Sequence, residues 1–466
     1  MNLAPVPLFG IGNQGKSLNV DAQQRTNLYV EVNNDAEKNI LTLYPTPGLT
    51  LFADFGAAPC RGIWEVNGVL YVVNQDKLYA LLNNGQYTAI GTLATSEGLV
   101  SMTDNGTQIC IVDGTYGYIF DRSTLAFTRI TAAGFPTANH VDFSDGRFIV
   151  NRAGTGQFYV SGQYDGLTWG ALDYATAETS PDNLVRVISD SGLLLLMGDK
   201  TIEPWGNSGA LDFPYSRIGS GAIEWGLAAR WSLCKFMDSL IFLRKNRLGQ
   251  IQVCVHQAGA ARAVSTPEMD TVFGQYKSFS DAVGFAYMSG GHPSYQISFP
   301  SAGETWLFDG QSQSWSKLSS GGGRHRALLY AQLLDKKYVT DYENGKVYQL
   351  KEGVFTDNGA SIAREFISRH VGGGDYSTLA SLWLEMEAGV GDQTGQGTDP
   401  QIMMSVSRDG GHTYSPESWR SFGKVGEYTR RAKWNRIGRA RDWVFKFRIT
   451  DPVKTVITQA WGQKGG

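Results

Sequence analysis

From residue 60 onward the chain is written in short apolar runs separated by turn residues. Within many runs apolar and polar positions alternate with the period of two expected of a strand. The clearest stretch is Gly62-Ile63-Trp64-Glu65-Val66, a turn at Asn67-Gly68, Val69-Leu70-Tyr71-Val72-Val73, a turn over 74–76, Lys77-Leu78-Tyr79-Ala80-Leu81, and Tyr87-Thr88-Ala89-Ile90. Asn-Gly between two apolar runs is the strongest short-range hairpin signal. The same grammar restarts at Leu99, His140, Leu184, Gly226, Ala282 and Arg326, with strands such as 108–112, 147–151, 193–197, 239–243, 294–299 and 337–341. A four-stranded unit returning every ~40–50 residues predicts a β-propeller, because a blade cannot hide both faces alone and must pack on its neighbours. Six or seven blades are expected, and the first and last units can share one sheet. No WD40 or kelch signature accompanies the period.

The two ends read differently. Residues 1–59 are turn-rich, as in Gly10-Ile11-Gly12-Asn13 and Tyr44-Pro45-Thr46-Pro47-Gly48, with short strand candidates at 26–32 and 40–43. They are expected to form an extended N-terminal arm. Beyond 356, strict alternation at 363–367, 381–387, 401–406 and 443–450 predicts strands buried on one face, and 389–400 is a Gly/Asp/Thr loop. The expected organisation is all-β: an arm at 1–59, a propeller at 60–355, and a C-terminal antiparallel sandwich-like domain at 356–466.

Composition narrows the picture. With 56 Gly, 12% aromatic and only 18% charged residues among 466, an all-helical protein is excluded, since helix surfaces call for more Lys and Glu. Lys and Arg number 41 against 44 Asp and Glu, a formal charge of -3. That argues against a general nucleic-acid coat, which must neutralise many phosphates, but not against a protein that DNA merely passes through. Cys60, Cys110, Cys234 and Cys254 are scattered without a CxxC pair and read as buried free thiols, as expected of a reducing compartment. The opening residues lack a basic n-region and read as no secretory leader. The longest apolar run, 193–197, is far short of the ~20 residues of a membrane span.

Ser407-Arg408-Asp409-Gly410-Gly411-His412-Thr413-Tyr414 fits the Asp-box pattern S-x-D-x-G-x-T-[WY], and Ser161 to Trp169 is a looser relative. In a propeller this pattern invites a sialidase reading. The Asp-box is nevertheless a turn device, in which Asp accepts backbone N–H groups, Gly supplies positive φ and the aromatic ring packs beneath. Ser407, Asp409, Gly411, Thr413 and Tyr414 are therefore expected to be structural. A glycosidase needs converging carboxylates or a Tyr nucleophile. Glu203, Glu224, Glu304 and Asp309 are available, none in a distinctive motif. The six histidines (His140, His256, His292, His325, His370 and His412) lack ligand spacing, so no metal is expected. Gly321-Gly322-Gly323 and Gly372-Gly373-Gly374 lack the Lys-Ser/Thr and helix of a phosphate loop, and no Gly-x-Ser-x-Gly elbow occurs. Neither a catalytic residue nor a cofactor is expected.

The charge anomaly lies near the C-terminus. Arg420, Lys424, Arg430, Arg431, Lys433, Arg436, Arg439, Arg441, Lys446 and Arg448 face only Glu427 and Asp442, and are interleaved with Trp419, Tyr428, Trp434 and Trp443. Arg with Trp and Tyr is the composition of protein–protein hot spots, and also of nucleic-acid grooves. Arg420, Arg430, Arg431, Lys433, Trp434, Arg436, Arg439, Arg441 and Trp443 are the candidate subunit or adaptor interface. Trp434→Ala or Arg436→Glu is expected to block assembly and leave the monomer folded.

Several stretches occur in one order in a known family: Gln24-Arg25-Thr26-Asn27-Leu28-Tyr29, Tyr44-Pro45-Thr46-Pro47-Gly48-Leu49, Thr201-Ile202-Glu203-Pro204-Trp205 before Gly219-Ser220-Gly221, and 407–414 with Lys433-Trp434-Asn435-Arg436-Ile437-Gly438-Arg439-Ala440-Arg441. The chain resembles the packaged-DNA stabilisation (tail accessory, or tail nozzle) proteins of short-tailed bacteriophages over nearly its whole length. The resemblance implies a virion tail protein, made and assembled in the host cytoplasm, with a propeller protomer forming a homohexameric ring below the portal and its adaptor. Such a ring closes the channel, stabilises packaged double-stranded DNA, conducts it during ejection without reading its sequence, and meets a tail needle, tailspikes or fibres. The alternatives from the residues are a propeller glycosidase and a glycan-binding tail protein.

Overall fold

The computed structural model describes residues 3–33, 40–177, 182–210, 213–219, 223–257 and 259–465. Ser220 and Gly221, part of the family-like stretch after Trp205, lie outside them. Among the described residues, seven antiparallel strand meanders follow one another as blades, six of four strands and the fifth of five. The first comprises Cys60–Val66, Val69–Asn74, Lys77–Leu81 and Tyr87–Thr92. Its opening hairpin turns at Asn67 (φ 48°) and Gly68 (φ 82°), the positive φ pair whose twist matches two right-twisted strands. The innermost strands of the other blades are Ser101–Asp104, Ala138–Ser144, Leu184–Asp190, Cys234–Phe236, Val283–Ser289 and Ala327–Leu333. In the fifth blade the inner edge is split, Gly226–Leu227 and Cys234–Phe236 both pairing with Ser239–Lys245.

The propeller has no single centre of packing. Apolar faces of successive blades enclose separate cores: Val73 with Ile111, Val112 with Val150, Phe158 with Leu196, Leu195 with Phe242, Ile241 with Phe308, Leu307 with Val339, and Tyr338 with Val72 to close the circle. Between the fifth and sixth blades the short helix Pro267–Gly274 adds Met269 and Phe273. Its start follows from Thr266, whose hydroxyl accepts from the Met269 N–H, and from Pro267 in the first turn.

The seventh blade is completed from the far end of the chain. Lys346–Lys351 pairs with Gly48–Asp54, so the N-terminal segment supplies the outer strand of the last sheet. Before it, the arm is extended and fastened along the C-terminal domain. Leu28–Val32 and Leu41–Pro45 form a hairpin in one sandwich sheet, with Ile457–Lys464, Ser377–Met386 and Ala432–Ala440 beyond it. Gln24–Thr26 joins the other sheet, beside Arg364–Ile367, Val444–Ile449, Gln401–Ser407 and Ser418–Ser421. Thr26 also pairs in parallel with Lys317 of the sixth blade, which makes sandwich and propeller one continuous sheet there. The sandwich core is Leu28, Val30, Leu382, Trp434, Phe445 and Phe447 with their neighbours.

Candidate assembly interface

The basic segment folds as a two-sided strand. In Ala432–Ala440 the side chains of Ala432, Trp434, Ile437 and Ala440 point into the sandwich, while Lys433, Asn435, Arg436 and Arg439 face outward. The alternation slips at Arg436, which takes φ 58° opposite a register shift between Leu379 and Ser381; such a bulge re-aims the side chains that follow it.

Burial divides the sequence-predicted site residues. Arg420, Arg430, Arg431, Lys433, Arg436, Arg439 and Arg441 are exposed. Trp434 and Trp443 are not: they are 1% and 3% exposed. Trp434 donates its indole N–H to the Ser418 carbonyl at 2.8 Å and stands edge-on to Phe447. These two tryptophans belong to the sandwich core, so the expectation that Trp434→Ala spares the monomer is corrected. The exposed aromatic surface comes from Trp419 (55%), Tyr428 (76%) and Tyr376 (59%), with half-buried Trp383 and Trp461 adjacent in register on the outer face.

The cations lie on these rings. Lys433 Nζ is 4.4 Å from the Trp383 centroid, and the Arg441 and Arg439 guanidinium carbons are 4.6 and 5.5 Å from that of Tyr376. Arg420 is pinned by the carbonyls of Lys433 (2.8 Å) and Trp419 (2.6 Å). Among the described residues, Arg431 is the one cation of these seven that reaches a carboxylate, Glu385 at 3.1 Å. The other six have no carboxylate of their own chain at ion-pair distance among the described residues.

Residues 407–414 form a self-contained turn. Asp409 accepts from the Thr413 N–H (2.9 Å), the Thr413 hydroxyl (2.6 Å), the Ser407 hydroxyl (2.6 Å) and the His412 N–H (3.1 Å). Those bonds hold its carboxyl well below the usual range. Gly411 has φ 97°, and its N–H donates to Ser407 Oγ. Every Asp409 oxygen is therefore engaged inside the turn. The other carboxylates do not converge. Glu304 and Asp309 end one strand and stand ~17 Å apart at a strand's rise, against the ~5–9.5 Å that glycoside hydrolysis uses. Glu304 meets Lys317, Asp309 meets His292, Glu224 meets Arg247, and Glu203 is buried beneath Trp205. Among the described residues no three His, Cys, Asp or Glu are grouped to hold a metal, and no helix is long and apolar enough to cross a membrane. The four cysteines are free, with burial raising every thiol pKa, that of Cys60 to about 12.

Two family models match the sequence, one described as bacteriophage P22 Gp10, beta-propeller, over residues 5–354, the other as bacteriophage P22 Gp10, beta-sandwich, over residues 364–461. The chain belongs to the Gp10 family. It is a bacteriophage structural protein of the packaged-DNA stabilisation class, and a virion component. No curated protein matches it. Among solved structures it is similar to the Neurospora crassa Pan2 WD40 domain (10% identity, TM-score 0.44, 66% of this chain and 97% of that one). It is also similar to the extracellular domain of the putative one-component system BT4673 from B. thetaiotaomicron (7%, 0.44, 81% and 47%) and to the computationally designed Ika8 protein (12%, 0.38, 75% and 100%).

In this Gp10-family chain two polar residues of the arm carry a structural role that no local sequence pattern spells out. Arg25 and Asn27 tie the arm, the sixth blade and the start of the C-terminal domain together. Arg25, 2% exposed, donates to the carbonyls of Gly10 (2.7 Å) and Trp315 (2.9 Å). Asn27 donates to Ser319 and Ala363 carbonyls and accepts from the Ser319 N–H. An Arg and an Asn beside a strand-like Leu-Tyr-Val were the available signal.

Proposed function

We propose that copies of this chain assemble as a closed homohexameric ring in the phage tail, below the portal-bound adaptor. The ring closes the channel after packaging, stabilises the packaged double-stranded DNA and conducts it during ejection, with a needle, tailspikes or fibres attached to it. The observation that carries this reading is the outward Arg/Lys face of the sandwich, whose cations stack on exposed rings and mostly lack carboxylates in their own chain. Residues 420–448 hold 10 of the 41 basic and 2 of the 44 acidic residues, leaving 31 basic against 42 acidic elsewhere. A basic face on an otherwise acidic body suits a head-to-tail contact, in which one copy's patch meets a different patch of the next.

DNA does not run through the individual propeller in this scheme. The cavity at the blade axis measures about 310 Å³, the size of a small-ligand pocket, whereas the major groove alone of a duplex is ~12 Å wide. The channel is the axis of the ring, narrowed by glycine- and serine-rich rim turns such as 319–323. The test is DNA retention in heads assembled without this protein, followed by nuclease protection and electron microscopy. Heads that package and then lose their genome are expected. Heads that keep DNA yet fail to infect would overturn the channel-closing role.

A further inference from the structure

The small axial cavity has a chemistry of its own. Its wall is largely apolar, with Trp64, Trp231 and Phe285, but His140, Arg186 and Lys235 also line it, and none of its described lining residues is a carboxylate. Arg186 is clamped from one side: Nη1 donates to the carbonyls of Leu233 (2.6 Å) and Arg230 (3.1 Å), while Nε is shut from solvent without a hydrogen-bond partner. His140 is 5% exposed, and its Nδ1 is likewise buried without a partner. The neighbouring carboxylate Asp142 already accepts the N–H groups of Ser189 (2.6 Å) and Phe143 (2.9 Å).

Polar atoms buried without a partner are costly, because folding strips their water without replacing it. The electrostatics point the same way. Burial, with the charges of Arg186 and Arg230, drives the His140 pKa well down, and burial lowers that of Arg186 to about 10. Asp142 lies within electrostatic reach of both Arg186 and Lys235 and offsets one of their two charges, so a water would satisfy an orphaned nitrogen but leave the other charge unbalanced. An anion with several oxygens does both.

We propose that the axial cavity of the propeller is a binding site for a small oxyanion of the phosphate or carboxylate type, held by Arg186, Lys235 and His140. Titration calorimetry of the full chain with sodium phosphate, and separately with succinate, at constant ionic strength set by chloride, tests it. Saturable one-site binding is expected, with a melting temperature that climbs with anion concentration. Binding of phosphate alone, or of succinate alone, supports the site and names its chemistry. Lys235→Ala, at an exposed position that the fold tolerates, should weaken binding roughly tenfold, the loss of one charge-assisted contact. His140→Gln should weaken it too. The proposal is overturned by the absence of saturable binding for both anions, or by unchanged affinity in Lys235→Ala and His140→Gln alike.

Discussion

Trp434 and Arg436 sit two residues apart and have opposite fates. The indole is enclosed by the sandwich and its N–H is satisfied, so Trp434→Ala leaves a large void and should cost ~3–5 kcal/mol in chemical denaturation. Arg436 is exposed, and Arg436→Glu should leave monomer stability within about 0.5 kcal/mol. Regular alternation puts residues two apart on the same face, and it is the bulge at Arg436 that turns this side chain outward; composition alone, which groups Trp with Arg as hot-spot residues, cannot see which face is inside. A second residue-scale device is the buried pair His292–Asp309, 2.8 Å apart, with Tyr29 of the arm against the imidazole. The bond to Asp309 raises the His292 pKa, while that of Asp309 is lowered through its bonds to His292 and Ser312 against its own burial. A raised His contributes stability that is whole below its unfolded pKa of ~6.5 and fades as pH climbs through the folded value. A lowered Asp contributes stability that is whole above ~3.9 and fades as pH falls through its folded value. The pair is thus strongest between about pH 4 and 6.5, and Asp309→Asn should flatten the decline in melting temperature from pH 6 to 8.

At the scale of elements, the arm is a set of stitches. Asn27 sits at φ 55° and spends its amide and carbonyl on backbone groups of residues 317–319 and on Ala363. Asn27→Ala strands several buried partners and should cost about 2–4 kcal/mol, with faster proteolysis between propeller and sandwich than in the parent chain. The blades were legible because each is local: the Asn67-Gly68 hairpin and the restarts at Leu184, Gly226 and Ala282 all fall at or within two residues of observed strand starts. The closing strand was not, since Gly48–Asp54 pairs with residues nearly the whole propeller away and a local pattern carries no information about so distant a partner. The helix Pro267–Gly274 was equally silent. Only eight residues long, it shows too few turns for a period of 3.6 to declare itself, and its Thr-Pro start is a short signal beside the repeat. The basic run of the proposed interface was legible as a composition, and the fold leaves its seven named cations exposed. Trp419 and Tyr428 were legible within that run, but Tyr376 was not, because it lies far from the run in sequence and reaches Arg439 and Arg441 only through the fold.

At the scale of the whole molecule, the unequal distribution of charge turns into a dependence on salt. In the proposed ring, near-neutral net charge would let a duplex pass without being held, since retention grows with the number of phosphates a protein neutralises. In that same ring the basic face of one copy would meet the more acidic remainder of the next, and closure would multiply that attraction by the number of contacts. Exposed pairs are screened beyond the Debye length, which shrinks from ~10 Å at 0.1 M salt to ~3 Å at 1 M. Assembly of the purified chain, followed by analytical ultracentrifugation, should therefore weaken steadily between those two concentrations. Arg436→Glu with Arg439→Glu should give a folded monomer even at the lower one, because neither side chain has a carboxylate partner in its own chain among the described residues to lose. A ring that is indifferent to salt and to the double reversal would move the subunit contact away from the basic face and onto the apolar or backbone groups of another surface.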